Sequence, residues 1–356
     1  MKLIKGSYSP EDCTFLLSDL TGEIDVLPAG SLDDYIASGH HYSDCITEEQ
    51  PVSDEINRVF DMLLSLNADK IARYIEQISK CILRDYDKPV LVSLARAGTP
   101  IGVLVKRYLS KVLGVEAPHY SISIIRDKGI DMAALDTIRK ECPDGQMVFI
   151  DGWTGRGSIT AELHKTLGDY YRSRGVWITP AIAVLADPAK VADIYGTRED
   201  ICIPNACLNS TVSGLVSRTI CNKKYLDKYP YHGSIVYNNL KYQDKSLEFI
   251  ETIEKAFRDD IDDLPARGDI DNNYIVGVLN GLIDAVGDSD VTRYKLSIGE
   301  ASRALIRRNP ERILLKDIND PQVAFIKYLA EQRGIPISNC CFGDYKCIAV
   351  LKAKGK

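Results

Sequence analysis

Between residues 89 and 185 the sequence alternates short apolar runs with amphipathic stretches, and this alternation constrains the fold more than any other feature. The apolar runs predict buried strands, and the stretches with apolar residues three and four apart predict helices. Strands are predicted at 89–94, 119–125, 146–150 and 177–185, and helices at 99–113, 132–142 and 159–172. Strict alternation of strand and helix is typical of an α/β fold in which a doubly wound parallel sheet carries helices on both faces.

The segments on either side of this alternation differ in character. Residues 1–50 are irregular, whereas helical spacing starts at Ser53 and predicts two helices before the first strand. The chain is therefore predicted to contain an extension (1–50), a sheet domain (51–245), an acidic helix and linker (246–275) and a small C-terminal α/β domain (276–356). In the last domain the predicted elements are a helix at 299–308, an N-cap at Asp320, and strands at 313–316 and 346–351.

Charge is unevenly distributed along the chain. The formal net charge is −6, yet residues 291–356 contain 13 Lys or Arg against 6 Asp or Glu. An acidic body with a basic C-terminal end is typical of a protein that meets a polyanion through that end.

The composition also bears on location. No run of 18 apolar residues occurs, and the first residues lack the apolar segment of a signal peptide. We therefore expect a soluble, cytoplasmic protein that does not contact a membrane. The ten cysteines show no framework spacing and are interpreted as reduced thiols.

The strongest functional signal follows the third predicted strand and reads Asp151-Gly152-Trp153-Thr154-Gly155-Arg156-Gly157-Ser158. Backbone N–H groups of such a loop, with a helix dipole behind them, fit one phosphate group. Gly155 and Gly157 permit close approach of a ligand, and Asp151 is placed to accept hydrogen bonds from sugar hydroxyls. The lysine of a nucleotide-triphosphate loop is missing between Gly157 and Ser158, which removes the cation that kinases and ATPases of that type need.

Two further loops follow predicted strands. Arg96, Ala97, Gly98 and Thr99 precede a helix that begins near Pro100, so their amides and the Arg96 cation fit a second phosphate, such as a pyrophosphate. Arg126 and Lys128 follow the strand at 119–125, and a loop of this kind closes on a leaving anion and excludes water. The carboxyl ends of parallel strands are where ligands bind in such sheets.

Taken together, these motifs resemble one known family. The segments at 6–8, 38–43, 95–100, 121–126, 151–155 and 209–218 resemble the phosphoribosyltransferases associated with tellurite-resistance stress operons, a family also labelled cysteine protease StiP. Residues from 298 to 352 resemble the Pelota-type RNA-binding domain that such proteins carry at the C-terminus. The resemblance covers nearly the whole chain.

The resemblance implies a type I phosphoribosyltransferase-like sheet, a Mg²⁺-dependent reaction of phosphoribosyl pyrophosphate with a nucleobase-like acceptor, and a homodimer. By this resemblance Asp151, with Thr154, Gly155, Arg156, Gly157 and Ser158, holds the ribose 5-phosphate. Arg96, Ala97, Gly98 and Thr99 hold the pyrophosphate with Mg²⁺, and Arg126 and Lys128 belong to the closing loop. The metal comes with the substrate, with Asp151 as its candidate protein ligand.

Two further regions are interpreted as binding surfaces. Residues 205–218 are dense in polar side chains, of which Asn209, Ser210, Thr211 and Arg218 are candidates for contact with the acceptor; the alternative is a polar loop and helix cap. In the C-terminal domain, Arg303, Arg307 and Arg308 lie on neighbouring faces of one predicted helix and are candidates for contact with RNA phosphates.

Two alternatives to catalysis of phosphoribosyl transfer stay open. Gly152 stands where the resembled enzymes usually have a second acidic residue, which favours a non-catalytic sensor of a phosphoribosyl ligand or an RNA-binding adaptor. The third hypothesis is a thiol hydrolase with Cys207 as nucleophile and His41, His119 or His232 as base.

Overall fold

The computed structural model describes residues 2–308, 310–340 and 342–353. The helices of this part are α1 (Leu32–Ala37), α2 (Asp54–Asp85), α3 (Gly98–Lys111), α4 (Met132–Glu141), α5 (Ser158–Arg174), α6 (Lys223–Leu226), α7 (Ser246–Glu254), α8 (Asn272–Val286), α9 (Ile298–Arg307) and α10 (Ala324–Gln332). Its strands are β1 (Thr14–Phe15), β2 (Ser18–Asp19), β3 (Val26–Leu27), β4 (Ile46–Thr47), β5 (Pro89–Ala95), β6 (His119–Ile125), β7 (Gly129–Ile130), β8 (Gln146–Trp153), β9 (Ile182–Ala186), β10 (Ile194–Thr197), β11 (Gly233–Ser234), β12 (Tyr294–Leu296), β13 (Arg312–Leu315), β14 (Ile337–Asn339) and β15 (Cys347–Val350).

A parallel sheet forms the centre of the fold, in the strand order β1-β6-β5-β8-β9-β10, with β7 antiparallel to β6. Strands β5 and β8 are neighbours, and Ser93 of one is in register with Ile150 of the other. The loops that follow these two strands therefore emerge at the same edge of the sheet. The predicted α/β class and its parallel sheet are confirmed.

Helices cover both faces of this sheet because successive strand residues point in opposite directions. Leu91 and Val148 pack in the apolar cluster that contains α2 and α3. Their neighbours Val92 and Phe149 pack in a second cluster, with α4 and α5. The strands are thus buried on both faces, as the continuous apolar runs in the sequence predicted.

The helical region after Ser53 is one helix, so the prediction of two helices is wrong. Helix α2 has 32 residues, and the Ser53 side chain caps it by accepting a hydrogen bond from the Ile56 N–H group at 3.3 Å. No Gly or Pro interrupts residues 54–85 to end a first helix. Asn67, near the middle, donates its side-chain amide to the Leu63 carbonyl at 2.9 Å and stays within the helix.

Three other sequence-based boundaries are corrected. The strand predicted at 177–185 is β9, which starts only at Ile182; Trp177 lies outside it and is 63% exposed, and Pro180 cannot donate to a ladder. The extension at 1–50, expected to be irregular, contains α1 and β1–β4, of which β1 lengthens the central sheet beside β6. The acidic helix predicted at 246–275 ends at Glu254, before a run of carboxylates and Pro265 that disfavours a helix.

The segment after α7 packs along α2. The Lys80 ammonium donates to the Ile261 carbonyl at 2.7 Å and pairs with Asp259 at 2.7 Å. The buried Glu76 carboxylate accepts the N–H groups of Asp260 and Ile261. These contacts fix residues 259–261 against the sheet domain. The four-part division of the chain at 50, 245 and 275 stays a prediction.

A small four-stranded sheet in the order β12-β15-β13-β14 organises the C-terminal part, which we call the C-terminal module (residues 272–353). Strand β15 is antiparallel to β12 and β13, and β13 is parallel to β14. Asp320 caps the turn before α10 by accepting the Gln322 N–H group at 2.8 Å. The predicted small C-terminal α/β region is thus confirmed.

A buried carboxylate joins the C-terminal module to the sheet domain. Asp200, just after β10, accepts the Ile298 N–H group at 2.9 Å and the Lys346 N–H group at 2.9 Å. Burial raises the pKa of Asp200 to about 7, although these N–H groups favour its charged form. Apolar side chains of α9 and α10 also belong to the cluster that contains α2 and α3. The start of α9 is therefore held against the sheet domain.

The length and the hydropathy of a helix decide whether it can cross a lipid bilayer. In the described part of the chain, none of the helices combines the length and apolar character needed to cross a lipid bilayer.

Replacing Asp200 by Asn tests this attachment through pH. Because the folded-state pKa of about 7 lies above the ordinary value of 3.8, the proton bound in the folded protein stabilises it at low pH. This contribution is lost as the pH rises through about 7. Between about pH 6 and about pH 8 we expect wild type to lose about 1.4 kcal/mol more unfolding free energy than Asp200→Asn, measured by urea unfolding. The exposed Asp317→Asn is the control, and parallel pH profiles for wild type and Asp200→Asn would contradict the role.

Candidate active site

The loop after β8 leads into the N-terminus of α5. Gly157 is the N-cap residue, in the left-handed conformation (φ +73°), and α5 begins at Ser158. No side chain caps this 17-residue helix, so the N–H groups of its first turn lack partners within it. Residues 154–158, which we call the phosphate loop, thus present amides and the positive end of a helix dipole.

The Thr154 side chain connects the phosphate loop to a neighbouring segment of the chain. Its hydroxyl donates to the buried carboxylate of Asp187 at 2.8 Å and accepts the Ala189 N–H group at 3.1 Å. Asp187 also accepts the N–H groups of Val191 and Ala192, and burial raises its pKa. The Thr154 side chain therefore fixes the loop to the segment after β9. Its predicted contact with phosphate stays a prediction.

The second predicted loop, between β5 and α3, brings together residues that the sequence could not connect. The Arg96 guanidinium donates to the Glu49 carboxylate at 3.1 Å and to the Val216 carbonyl at 3.1 Å. The same carboxylate accepts the Ser210 N–H group at 2.8 Å and its hydroxyl at 2.7 Å. Glu49, which the sequence analysis missed, thus links the predicted pyrophosphate loop to the predicted acceptor region.

Close packing explains the glycine of that loop. A Cβ atom built on Gly98 would lie 2.1 Å from the Ile150 carbonyl oxygen, so only glycine fits between α3 and β8. The neighbouring Thr99 hydroxyl shares a hydrogen bond with Ser121 at 2.7 Å. The Ala95–Arg96 peptide bond is cis.

The hairpin between β6 and β7, which carries Arg126 and Lys128, is tied to its surroundings. The Lys128 ammonium pairs with Asp44 at 2.7 Å and donates to the Cys221 carbonyl at 2.8 Å. The Arg126 N–H group donates to the Tyr42 hydroxyl at 2.9 Å. The Arg126 side chain is exposed, and no hydrogen bond or ion pair of its guanidinium occurs among the described residues. Of the two predicted cations, Arg126 is thus the one available to a ligand.

The remaining acceptor candidates lie in a buried polar region. Arg218 donates to the Tyr42 carbonyl and to Cys45 Sγ, the latter at 3.4 Å, and so holds the segment that also bonds the β6–β7 hairpin. Thr211 is buried, and its hydroxyl has no hydrogen-bond partner among the described atoms. Asn209 precedes the short helical turn Ser210–Val212 without capping it.

The C-terminal module lies directly on the phosphate loop. The Tyr345 hydroxyl donates to the Gly155 carbonyl at 2.7 Å, and a Cβ built on Gly155 would lie 2.9 Å from the side chain of Glu300. A Cβ built on Gly299 would lie 2.5 Å from the ring of Trp153. Helix α9 therefore covers the end of β8. Glycine lowers the stability of a helix and is best explained where another surface approaches closely. Gly299 is therefore the sequence feature that could have indicated this contact.

The three arginines predicted to contact RNA occupy different places. The Arg303 guanidinium stacks over Trp153, 4.4 Å from the ring centroid, and thus faces the sheet domain. Arg308 is exposed just beyond the end of α9. Arg307 is the last residue of α9, and its side chain lies outside the described part of the structure. RNA contact by these residues stays a prediction.

Asp151 lies in the part of β8 whose end is covered by α9. Burial raises its pKa to about 6, while the hydrogen bond from the Gly152 N–H group (2.8 Å) and the charge of Arg303 favour the carboxylate. The negative charge of Glu300 raises the pKa further. Two residues of the C-terminal module thus act electrostatically on the carboxylate that the sequence analysis placed next to the sugar.

The cysteine and histidine candidates do not meet. Cys207 is buried, and its hydrogen bond, together with burial, raises the pKa of Cys202. His119 bonds Ser93 and the Asp12 carbonyl, and burial lowers its pKa to about 4. His41 bonds Ser43 and His232 bonds Ser123. Among the contacts of the described residues, none joins Cys207 to a histidine.

The described residues contain no group of three or more His, Cys, Asp or Glu side chains that could hold a metal ion. A Mg²⁺ ion carried by phosphates needs only one or two protein carboxylates. Among the described residues, one of the two Asp151 oxygen atoms accepts a hydrogen bond from the protein, so Asp151 is compatible with that role, which stays a prediction.

Comparisons with known proteins identify the family. The profile described as "Tellurite-like stress resistance cysteine protease StiP" matches residues 6–254, and the "PELOTA RNA binding domain" profile matches residues 278–353. The chain belongs to the StiP family and carries a Pelota RNA-binding domain, which confirms the resemblance seen in the sequence.

One curated relative and one solved structure give the extent of the similarity. "Cysteine protease StiP" of Acinetobacter baylyi (strain ATCC 33305 / BD413 / ADP1) is 32% identical over 370 residues, covering 99% of this chain and 95% of that protein. A hypoxanthine-guanine-xanthine phosphoribosyltransferase matches with a TM-score of 0.25 at 12% identity, covering 49% of this chain and 93% of that chain. A likeness this slight supports no conclusion.

Glu49→Gln tests the link between the two loops. It leaves the Arg96 guanidinium, which is 12% exposed, without its charged partner and weakens two hydrogen bonds to Ser210. We expect a loss of about 2 kcal/mol of unfolding free energy, measured by urea unfolding. Asp144→Asn, which removes an exposed pair with Lys88, is the control and is expected to cost less than about 1 kcal/mol. Equal losses in the two variants would contradict the proposed network.

Proposed function

We propose that this protein transfers a phosphoribosyl group from phosphoribosyl pyrophosphate to a nucleobase-like acceptor. One observation carries the proposal: the uncapped N-terminus of α5 and the loop of Arg96 to Thr99 lie at the same edge of the parallel sheet, with Asp151 between them. Two sites of positive potential at one edge match a substrate with two anionic ends.

The chemistry of such a transfer needs few protein groups. Displacement of pyrophosphate builds positive charge on the ribosyl carbon and negative charge on the leaving group, so fixed cations and amide dipoles supply most of the acceleration. Arg156 is a cation of the phosphate loop and Arg126 is a cation of the β6–β7 hairpin, and the α5 amides orient the 5-phosphate. Asp151 is charged above about pH 6 and accepts hydrogen bonds from ribose hydroxyls. No protein nucleophile takes part.

The metal contributes in one way in this proposal. Mg²⁺ bound to the substrate phosphates would neutralise part of the leaving-group charge, and Asp151 would be its protein ligand.

For the acceptor we propose the region of residues 205–218, which Glu49 connects to the Arg96 loop. Ser210 and Arg218 are hydrogen-bonded to the protein, which leaves Asn209 and Thr211 as the acceptor candidates; the Thr211 hydroxyl has no hydrogen-bond partner among the described atoms. The identity of the acceptor base stays open.

A non-catalytic sensor is the second candidate, favoured by Gly152. A Cβ built on this residue would lie 3.4 Å from the Ala97 carbonyl oxygen, so a carboxylate there would extend from a position directly beside the other loop. Its absence removes one group that could bind ribose hydroxyls or metal. A sensor of this kind would bind phosphoribosyl pyrophosphate without turnover.

Calorimetric titration with Mg²⁺ and phosphoribosyl pyrophosphate tests the site. We expect Gly157→Ala to weaken binding at least about tenfold, because a methyl group strains the left-handed conformation that aims the loop amides. Gly175→Ala is the matched control: this residue ends the same helix with φ +68° and nothing lies near its Cβ position. Asp151→Asn is expected to weaken binding as well.

The outcomes separate the candidates. Binding with release of pyrophosphate in the presence of an acceptor supports transfer, and binding without turnover across nucleobases supports the sensor. No binding by folded wild type, or equal affinity of Gly157→Ala and Gly175→Ala, would overturn the site.

The family's printed name makes thiol hydrolysis a third candidate, which Cys207→Ala tests. Because Cys207 is buried without a histidine partner among the described contacts, we expect this variant to keep any activity of wild type. Activity on casein and on phosphoribosyl pyrophosphate would be assayed in parallel, with Cys202→Ala as the buried-thiol control. Loss of casein cleavage in Cys207→Ala alone, with Asp151→Asn active, would support the hydrolase instead.

A further inference from the structure

Basic side chains from separate elements converge at the N-terminus of α5. Arg156 belongs to the phosphate loop, Arg126 to the β6–β7 hairpin, and Lys295 and Arg303 to the C-terminal module. We call these four residues the basic cluster. It combines side chains of the sheet domain with side chains of the module that the sequence analysis assigned to RNA.

Contacts of neighbouring atoms establish this juxtaposition. The Arg156 guanidinium donates to the Val291 carbonyl, and the Leu296 carbonyl lies 3.3 Å from a Cβ built on Gly155. Lys295 is therefore on the stretch of chain that lies against the phosphate loop. On the other side, the Asp127 N–H group donates to Glu162 of α5 at 2.9 Å, which brings the hairpin next to the same helix end.

The charges of the cluster act on one another. Burial lowers the pKa of Lys295 to about 8; Glu300 opposes this, while Arg308, Arg126 and Arg156 lower the pKa further. Burial also lowers the pKa of Arg156, and Arg126 adds to the effect. Like charges held this close are unfavourable unless an anion lies between them.

Arg303 extends the cluster towards the second loop. Its guanidinium stacks on Trp153, and its Nε atom is buried without a hydrogen-bond partner among the described atoms. Burial lowers the pKa of Arg303, which Glu300 and Asp151 oppose and Arg96 reinforces. The Arg303 guanidinium and the Glu300 carboxylate are 3.9 Å apart, a distance too long for a strong hydrogen bond. The charges of Asp151 and Arg96 therefore both act on Arg303.

We propose that the C-terminal module completes the anion-binding site of the sheet domain, with Lys295 and Arg303 contacting a phosphorylated small molecule held between the module and the phosphate loop. This inference deepens the proposed function, on which it rests for the identity of that molecule as phosphoribosyl pyrophosphate. Arg303 takes the role of cation for the second phosphate group, because Arg96 is already paired with Glu49.

The position of the cluster favours a small ligand over RNA. Arg303 is enclosed by α9 and Trp153, with 25% of its side chain exposed, and Lys295 is half-buried. A nucleic-acid backbone needs basic side chains on an open surface that it can follow. A small phosphorylated molecule is instead recognised by a few polar side chains placed around it.

The test uses the full chain and two probes, Mg²⁺ with phosphoribosyl pyrophosphate and inorganic pyrophosphate, in calorimetric titrations. Lys295→Met and Arg303→Met are each expected to weaken binding of at least one probe about tenfold or more. Lys316→Met is the matched control for Lys295, because each ammonium donates to one carbonyl of the C-terminal module. Arg312→Met is the control for Arg303. Each of these two guanidinium groups pairs with a glutamate that is close in the sequence, Arg303 with Glu300 and Arg312 with Glu311. Unfolding curves confirm that each variant is folded, and Lys295→Met alone decides if Arg303→Met is not.

The failure of this inference and that of the proposed function give different results. If wild type binds phosphoribosyl pyrophosphate and both variants bind equally well, the module does not complete the site, and the proposed function stands. If wild type binds only pyrophosphate and the variants lose it, the shared site stands and phosphoribosyl pyrophosphate is not its ligand. Binding of neither probe overturns both.

A third probe distinguishes RNA. A single-stranded oligoribonucleotide without terminal phosphates is added in competition with pyrophosphate. Failure to displace pyrophosphate supports an enclosed site for a small molecule. Displacement, with RNA affinity lowered in Lys295→Met, would overturn the proposal in favour of an RNA surface.

Discussion

The carboxylate of Asp200 holds the start of α9 and the start of β15 against the sheet domain, and the architecture of the candidate site depends on this attachment. A buried carboxylate is costly to desolvate, so its hydrogen bonds to the Ile298 and Lys346 N–H groups must be made together. Once they are made, the first turn of α9 lies on Trp153 and the phosphate loop is covered. The geometry of the site thus follows from contacts outside the site.

This attachment explains why basic residues of both parts of the chain gather near Glu300, whose charge acts on Arg156, Lys295 and Arg303. Free in solution, the sheet domain would present Arg126 and Arg156, and the C-terminal module would present Lys295 and Arg303, each set well hydrated. Docking removes water from both sets and brings them together, which opposes the apolar contacts of α9. The uneven charge noted in the sequence therefore has a structural counterpart: part of the excess positive charge of the C-terminal end lies at its contact with the sheet domain.

Local sequence patterns predicted the sheet, whereas the candidate site depends on contacts between distant residues. Strands β5 and β8 are rich in apolar residues on both faces, a pattern that each strand carries by itself. Glu49 acts through Arg96, 47 residues away, and Ser210, 161 residues away, and no local pattern indicates such a pairing. The prediction that the strand includes Trp177 is wrong because an apolar residue near a strand need not belong to it. The sequence pattern did not predict the docking of α9 either, although a glycine at position 299 is compatible with the close approach of another surface.

Arg303 connects the C-terminal module with the sheet domain. The buried Arg293 pairs with Glu311 within the C-terminal module, whereas Arg303 stacks on Trp153 of the sheet domain and leaves Nε without a partner among the described atoms. Trp153 in turn is the last residue of β8 and precedes the phosphate loop. A guanidinium stacked on an indole is oriented at little entropic cost, which suits a group that must meet a ligand in a fixed direction. In this proposal the two parts share one site rather than carrying two.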